Sequence, residues 1–139
     1  MRDRTREWIR LEQADARARL LARGHGADPR VRRMLAHLAE HVFDPAFRPG
    51  RLVQACGLGD HNLRRLFRRQ LGVSPSALAR AVRLETARTL LAEPRAAVDV
   101  RTAAAAVGLS YSTFWRLCRH RWDRPPSALR AAETLPEAA

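Results

Sequence analysis

The sequence predicts an all-α fold of about seven helices, arranged as two similar units on a long connecting helix and preceded by one further N-terminal helix. Three observations carry this. No stretch alternates apolar and polar residues with period two, so no sheet is expected. Apolar residues recur instead at helical spacing, and Pro and Gly punctuate the runs. Finally, the segment from Gly57 to Leu78 returns without a gap, 51 residues later, from Gly108 to Leu129. The two copies pair Gly57-Leu58 with Gly108-Leu109, Arg65-Leu66 with Arg116-Leu117, Arg68 with Arg119, and Pro75-Ser76-Ala77-Leu78 with Pro126-Ser127-Ala128-Leu129. Matches at one fixed offset say that one supersecondary unit occurs twice.

The elements follow in order. Residues 1–23 interleave charges with Trp8, Ile9, Leu11, Leu20 and Leu21 and hold no Pro or Gly, which predicts a helix with a thin apolar stripe. Three fates are open to it: packing on the domain, pairing with a partner, or being the remnant of a linker to a lost sensor domain. Asp28-Pro29 starts the next helix, with Asp as N-cap and Pro at the first position. Its buried stripe is Val31, Met34, Leu35, Leu38 and Val42, and Asp44-Pro45 ends it. A short helix over 51–56 turns Leu52, Val53 and Ala55 inward, and Gly57 supplies the positive φ that ends it. Asp60 then caps a helix with Leu63, Leu66, Phe67 and Leu71 on one face and His61, Arg64, Arg65 and Arg68 on the other.

Ser74-Pro75 opens the connecting helix, which runs to about Ala92 with Leu78, Ala81, Val82, Leu84 and Leu91 as its stripe. Glu85 lies in reach of Arg88 or Arg65. In the second unit Asp99 caps an Ala-rich helix over 100–107 that needs close packing. Gly108 turns the chain, and Ser110 caps a helix over 111–122 with Phe114, Leu117, Cys118 and Trp122 inward. Its outer face is Ser112, Trp115, Arg116 and Arg119, and Trp115 there reads equally as a partly buried aromatic or as a base or sugar contact. Pro125-Pro126 starts a last short helix, and residues 132–139 are expected to be disordered.

Charge narrows the function. All 26 basic residues are Arg, and the formal net charge is +12. Between Arg48 and Arg130 there are 16 Arg and 5 acidic residues, a balance of +11, whereas residues 1–47 hold 10 Arg and 7 acids. So concentrated a positive charge points to nucleic acid or another anionic surface. Cys56 and Cys118 fit no metal spacing and read as core thiols of a reduced protein. No apolar run is long enough to span a bilayer and no signal-like segment opens the chain, so a cytoplasmic location is expected.

A short helix, a Gly turn and a second helix with one apolar and one Arg-rich face form a helix-turn-helix, here twice. The connecting helix of about 17 residues measures roughly 26 Å. With the flanking units added, the two Arg-faced helices fall near the ~34 Å turn of B-DNA, so one chain would read two successive major grooves. Because the faces differ, His-Arg-Arg against Ser-Trp-Arg, the expected site is asymmetric.

The run from Leu63 to Pro75, the run from Arg83 to Leu91, Phe114-Trp115-Arg116-Leu117 and Pro125 to Arg130 together resemble the DNA-binding domain of the AraC/XylS family of bacterial transcription regulators. The resemblance covers 28–130 and implies seven helices in two helix-turn-helix units acting at promoters. It implies double-stranded promoter DNA and RNA polymerase as partners, no cofactor and no enzymatic activity, and it leaves the oligomeric state open. Matched to the family's motif, the DNA-binding residues are His61, Asn62, Arg64, Arg65, Arg68 and Arg69 in the first unit. In the second they are Tyr111, Ser112, Trp115, Arg116 and Arg119. The implied organisation is an N-terminal helical extension (1–27), the double helix-turn-helix domain (28–131) and the tail (132–139), as in small stand-alone members or a C-terminal fragment. Asp123 stands where the family commonly has Gly, and Cys118 where an aromatic is common.

Two competing readings remain. His37-Leu38-Ala39-Glu40-His41 spells the H-x-x-E-H of inverted zinc peptidases, but a five-residue match on a short helical chain with no third ligand reads as a solvated helix edge. The alternative function is a protein-interaction module derived from a truncated regulator and acting through residues 1–27.

Overall fold

A computed structural model describes residues 1–57 and 62–134, the side chains being described through Arg130. Among the described residues seven α-helices form: α1 (Asp3–Ala22), α2 (Pro29–His41), α3 (Leu52–Ala55), α4 (Leu63–Leu71), α5 (Pro75–Ala92), α6 (Val100–Ala106) and α7 (Tyr111–Trp122). Turns of 3-10 helix at Pro49–Arg51, Pro94–Ala96 and Pro126–Thr134 complete the architecture, and no strand occurs among the described residues. The last 3-10 turn runs into the segment expected to be disordered, of which 135–139 lie outside the described residues.

Local signals place the helix starts. Asp28 accepts from the backbone N–H of Arg30, Ser74 from Ala77, Asp99 from Thr102 and Ser110 from Thr113, each satisfying an N–H with no partner in its own helix. The first unit departs from expectation: α4 begins at Leu63 behind Asn62, and the expected cap Asp60 lies outside the described residues.

The duplication recurs in the packing. At the 51-residue offset, Leu52, Val53, Cys56, Leu63, Phe67 and Leu78 are buried, and so are Ala103, Ala104, Val107, Phe114, Cys118 and Leu129. Bulk is redistributed inside each pair of neighbours: Phe67 and Leu71 in one unit become Cys118 and Trp122 in the other, one smaller and one larger. The backbone repeats as well. Gly57 and Gly108 are left-handed, and Asp123 (φ 54°) takes the left-handed C-cap that Gly72 (φ 75°) holds in the first unit. Asp tolerates that region better than most residues, which is why Gly is dispensable here.

Some inward faces differ from expectation. Ala55 is exposed, and Cys56 one residue later fills the core. On α5, Ala81 is exposed while Ala79, Thr86, Ala87 and Leu90 join Leu78, Leu84 and Leu91 in burial. A single stripe does not describe this helix, because α1, α6, α7 and the closing 3-10 turn pack around it. Burial pushes the Cys118 thiol up to about 12 and raises Cys56 as well, so both stay protonated core groups. Of the three fates open to the N-terminal helix, the structure shows the first: Ala16 and Leu20 of α1 are buried against α2 and α5.

Candidate nucleic-acid interface

The two Arg-faced helices are held by their apolar sides. Leu63 and Phe67 anchor α4 while Leu66 and Leu71 are half-buried; Phe114 and Cys118 anchor α7 with Leu117 and Trp122. A helix fixed by one face must present the other, so Arg64, Arg65, Arg68 and Arg69 on α4 are all exposed. None of the four has a carboxylate partner among the described residues, which leaves their charge available for an anion. Asn62 is exposed at the N-cap, and His61 lies outside the described residues.

On α7, Tyr111, Ser112, Trp115, Arg116 and Arg119 are likewise exposed. Trp115 is 41% exposed, so it is partly covered by the protein and still reaches the surface of this face. Guanidinium groups lie over both exposed rings of this face: Arg101 over Tyr111 at 4.5 Å and Arg119 over Trp115 at 5.6 Å. Arg119 also sits 3.9 Å from the Asp123 carboxylate, so part of its charge is answered within the protein. Arg116 has no such partner among the described residues. Ser110 orders the start of α7 by accepting from the Thr113 N–H while its hydroxyl donates to Thr113 Oγ1 at 2.9 Å.

The two faces share one surface. Arg64, Arg65 and Arg68 line a cleft of about 340 Å³ together with Pro49 and Ser76. Arg80, Arg83, Arg116 and His120 line an adjoining cleft of about 680 Å³ that Pro49 and Ser76 also border. The start of α5 thus separates two basic depressions, one walled by α4 and the other by α7. Arg83 has a structural duty, donating to the carbonyls of Val42 at 2.7 Å and Asp44 at 3.2 Å. Burial, and then the neighbouring Arg48, lower its pKa below the ordinary guanidinium range.

Sequence reasoning missed Arg80 and His120 as members of this surface. His120 was findable, since it stands at the repeat offset from Arg69. Arg80 lies on the connecting helix and has no counterpart to flag it. The other charged motif resolves differently: the rings of His37 and His41 lie 4.4 Å apart and both face Phe47, with Glu40 exposed beside His41. Among the described residues no group of three His, Cys, Asp or Glu converges as a metal site.

A family model described as "Helix-turn-helix domain", of the AraC type, matches residues 52–132, which is more than half of the chain and takes in both units. Neither a curated protein nor a solved structure gives a significant match. The duplicated turn, the paired basic helices and this match agree: the chain belongs to the AraC-type helix-turn-helix family and carries the DNA-binding domain of a transcription regulator.

Proposed function

We propose that the protein is a sequence-specific regulator that lays α4 and α7 into successive major grooves of one asymmetric duplex site. The observation that carries this is the adjoining pair of basic clefts, one walled by each helix and meeting at Pro49 and Ser76. Arg65 and Arg116 hold the same slot at the repeat offset and are both exposed, Arg65 in the first turn of α4 and Arg116 at the middle of α7. An Arg fork there reaches guanine O6 and N7 together, each such pair giving about 1–3 kcal/mol of discrimination. Arg69 lies off the cleft-lining face and suits a phosphate, which positions without specifying. On this reading the protein is a binding protein rather than an enzyme. It works in the cytoplasm, and RNA polymerase is its protein partner at the promoter.

Selection on randomised duplexes tests it. Arg65→Ala should relax preference in one half of the site and Arg116→Ala in the other, about ten base pairs away. Blurring of the same bases by both variants would rule out two-groove reading.

A second reading, interaction through residues 1–27, rests on Leu11 and Leu21, which α1 leaves 57% and 52% exposed. It predicts a salt-insensitive oligomer that Leu11→Ser breaks without affecting DNA binding.

A further inference from the structure

The hydrogen bonds of α1 share a feature that helical packing alone does not require. Four of its side chains and its C-cap Arg23 donate to backbone carbonyls at the C-terminal ends of other helices. Thr5 reaches Ala96 at the end of the 3-10 turn, Trp8 Nε1 reaches Leu90 in the last turn of α5, and Gln13 Nε2 reaches Ala106, the last residue of α6, at 2.8 Å. Arg17 donates to Ala39 in the last turn of α2 at 3.1 Å, and Arg23 to Leu71, the last residue of α4, at 3.1 Å. Carbonyls in those last turns have no acceptor role inside their own helices and carry the negative end of the helix dipole, so they attract such donors.

The order along α1 matters. Thr5 and Gln13 hold the second unit and the turn leading into it, and farther along Arg17 holds α2 and Arg23 holds α4 of the first unit. Just beyond, the Asp28 N–H donates to Gln70 on α4 at 2.9 Å, a second hold on that recognition helix. Meanwhile α4 packs on α2 and α5, and α7 on α5, α6 and the closing 3-10 turn; the recognition helices share no comparable packing with each other. Their mutual placement therefore passes through α5, through α1, and through the end of α2, where the Phe43 carbonyl lies against Gly108 at the turn into α7.

We propose that α1 is a splint that fixes the phase between the two recognition helices, with Gln13 and Arg23 as its positioning residues. The proposal rests on the two-groove reading above. A one-base-pair change in half-site separation turns the second groove by roughly 35° around the duplex, and a rigid reader cannot follow it. Splinting thus makes spacing, as well as base identity, part of the recognised site.

The test uses the full chain with Gln13→Met and Arg23→Met, which keep the apolar stems and remove the donors, on the selected site with its half-site separation changed by one and two base pairs. For the wild type, one base pair should weaken binding about tenfold or more, comparable to a mismatch. The double variant should bind the unaltered site a few-fold more weakly yet lose only about two- to threefold on respacing. Equal respacing penalties in both proteins would overturn the splint while leaving two-groove reading intact. A wild type indifferent to spacing, or bound fully by one half-site, would remove the two-groove reading and the splint with it. Should the double variant fail to melt cooperatively, Gln13→Met alone carries the same comparison, because it frees only the α6 end.

Discussion

Gly57 and Gly108 hold equivalent places in the two turns, at φ 70° and 79°, yet their surroundings differ. Among the described residues a Cβ on Gly57 would find nothing nearer than Arg33 Nη2 at 3.9 Å, while one on Gly108 would meet the Phe43 carbonyl oxygen at 2.8 Å and its carbon at 3.0 Å. Gly57→Ala therefore carries left-handed strain alone, about 1–2 kcal/mol, and Gly108→Ala adds a clash with rigid backbone for a loss of about 2–5 kcal/mol. Urea melts of the two variants check the inequality; equal losses would mean that α2 and the second turn do not abut. Ala97 shows the reverse case, a non-glycine held at φ 52° behind the 3-10 turn Pro94–Ala96. Relief of strain against a looser unfolded chain gives Ala97→Gly a net gain of about 0.5–1 kcal/mol.

Among the elements, α2 carries a pH-sensitive group. Partial burial, and then the neighbouring His41, hold the His37 pKa below its ordinary 6.5, with Glu40 opposing. The folded state thus binds fewer protons than the unfolded one near that value. The associated stability is complete above pH 6.5 and is lost as the pH falls through it toward the lower folded pKa. Thermal melts should show the midpoint falling between pH 7.5 and 5.5, with His37→Gln flattening the slope over that interval. Elements also differ in how legible they are. The stripe of α2 and the two faces of α4 follow from one period, because each packs on one side only. On α5 the same arithmetic puts Ala81 inside and overlooks Leu90, since neighbours on several sides bury residues that no single stripe contains.

At the scale of the whole molecule, the surplus of +11 over Arg48 to Arg130 meets a duplex that carries condensed counterions. If the two clefts and their rims neutralise about six to eight phosphates, log K should fall against log salt with a slope of about −5 to −7. Fluorescence anisotropy from about 50 to 300 mM salt measures it, and a flat line would rule out phosphate contact as the source of affinity. Arg69→Ala should reduce the slope by about one while leaving base preference unchanged. Arg119, already shared with Asp123 and the Trp115 ring, should reduce it less.

The order of helices, their caps and the repeated unit were determined by the sequence alone. Asp28, Ser74, Asp99 and Ser110 act on donors two or three residues away, and a 51-residue offset needs no coordinates to be seen. The exposure of the Arg faces followed too, since fixing Leu63 and Phe67 inward leaves Arg64 and Arg65 no other side. Only the tertiary structure decided where α1 packs, that Arg80 joins the basic surface, and that Glu85 pairs with Arg88 and Arg121 and not with Arg65. Each of these depends on contacts between residues far apart in the chain, up to 93 positions for Gln13 and Ala106. A backbone carbonyl looks the same in every residue, so no side-chain pattern announces which helix end a distant donor will find.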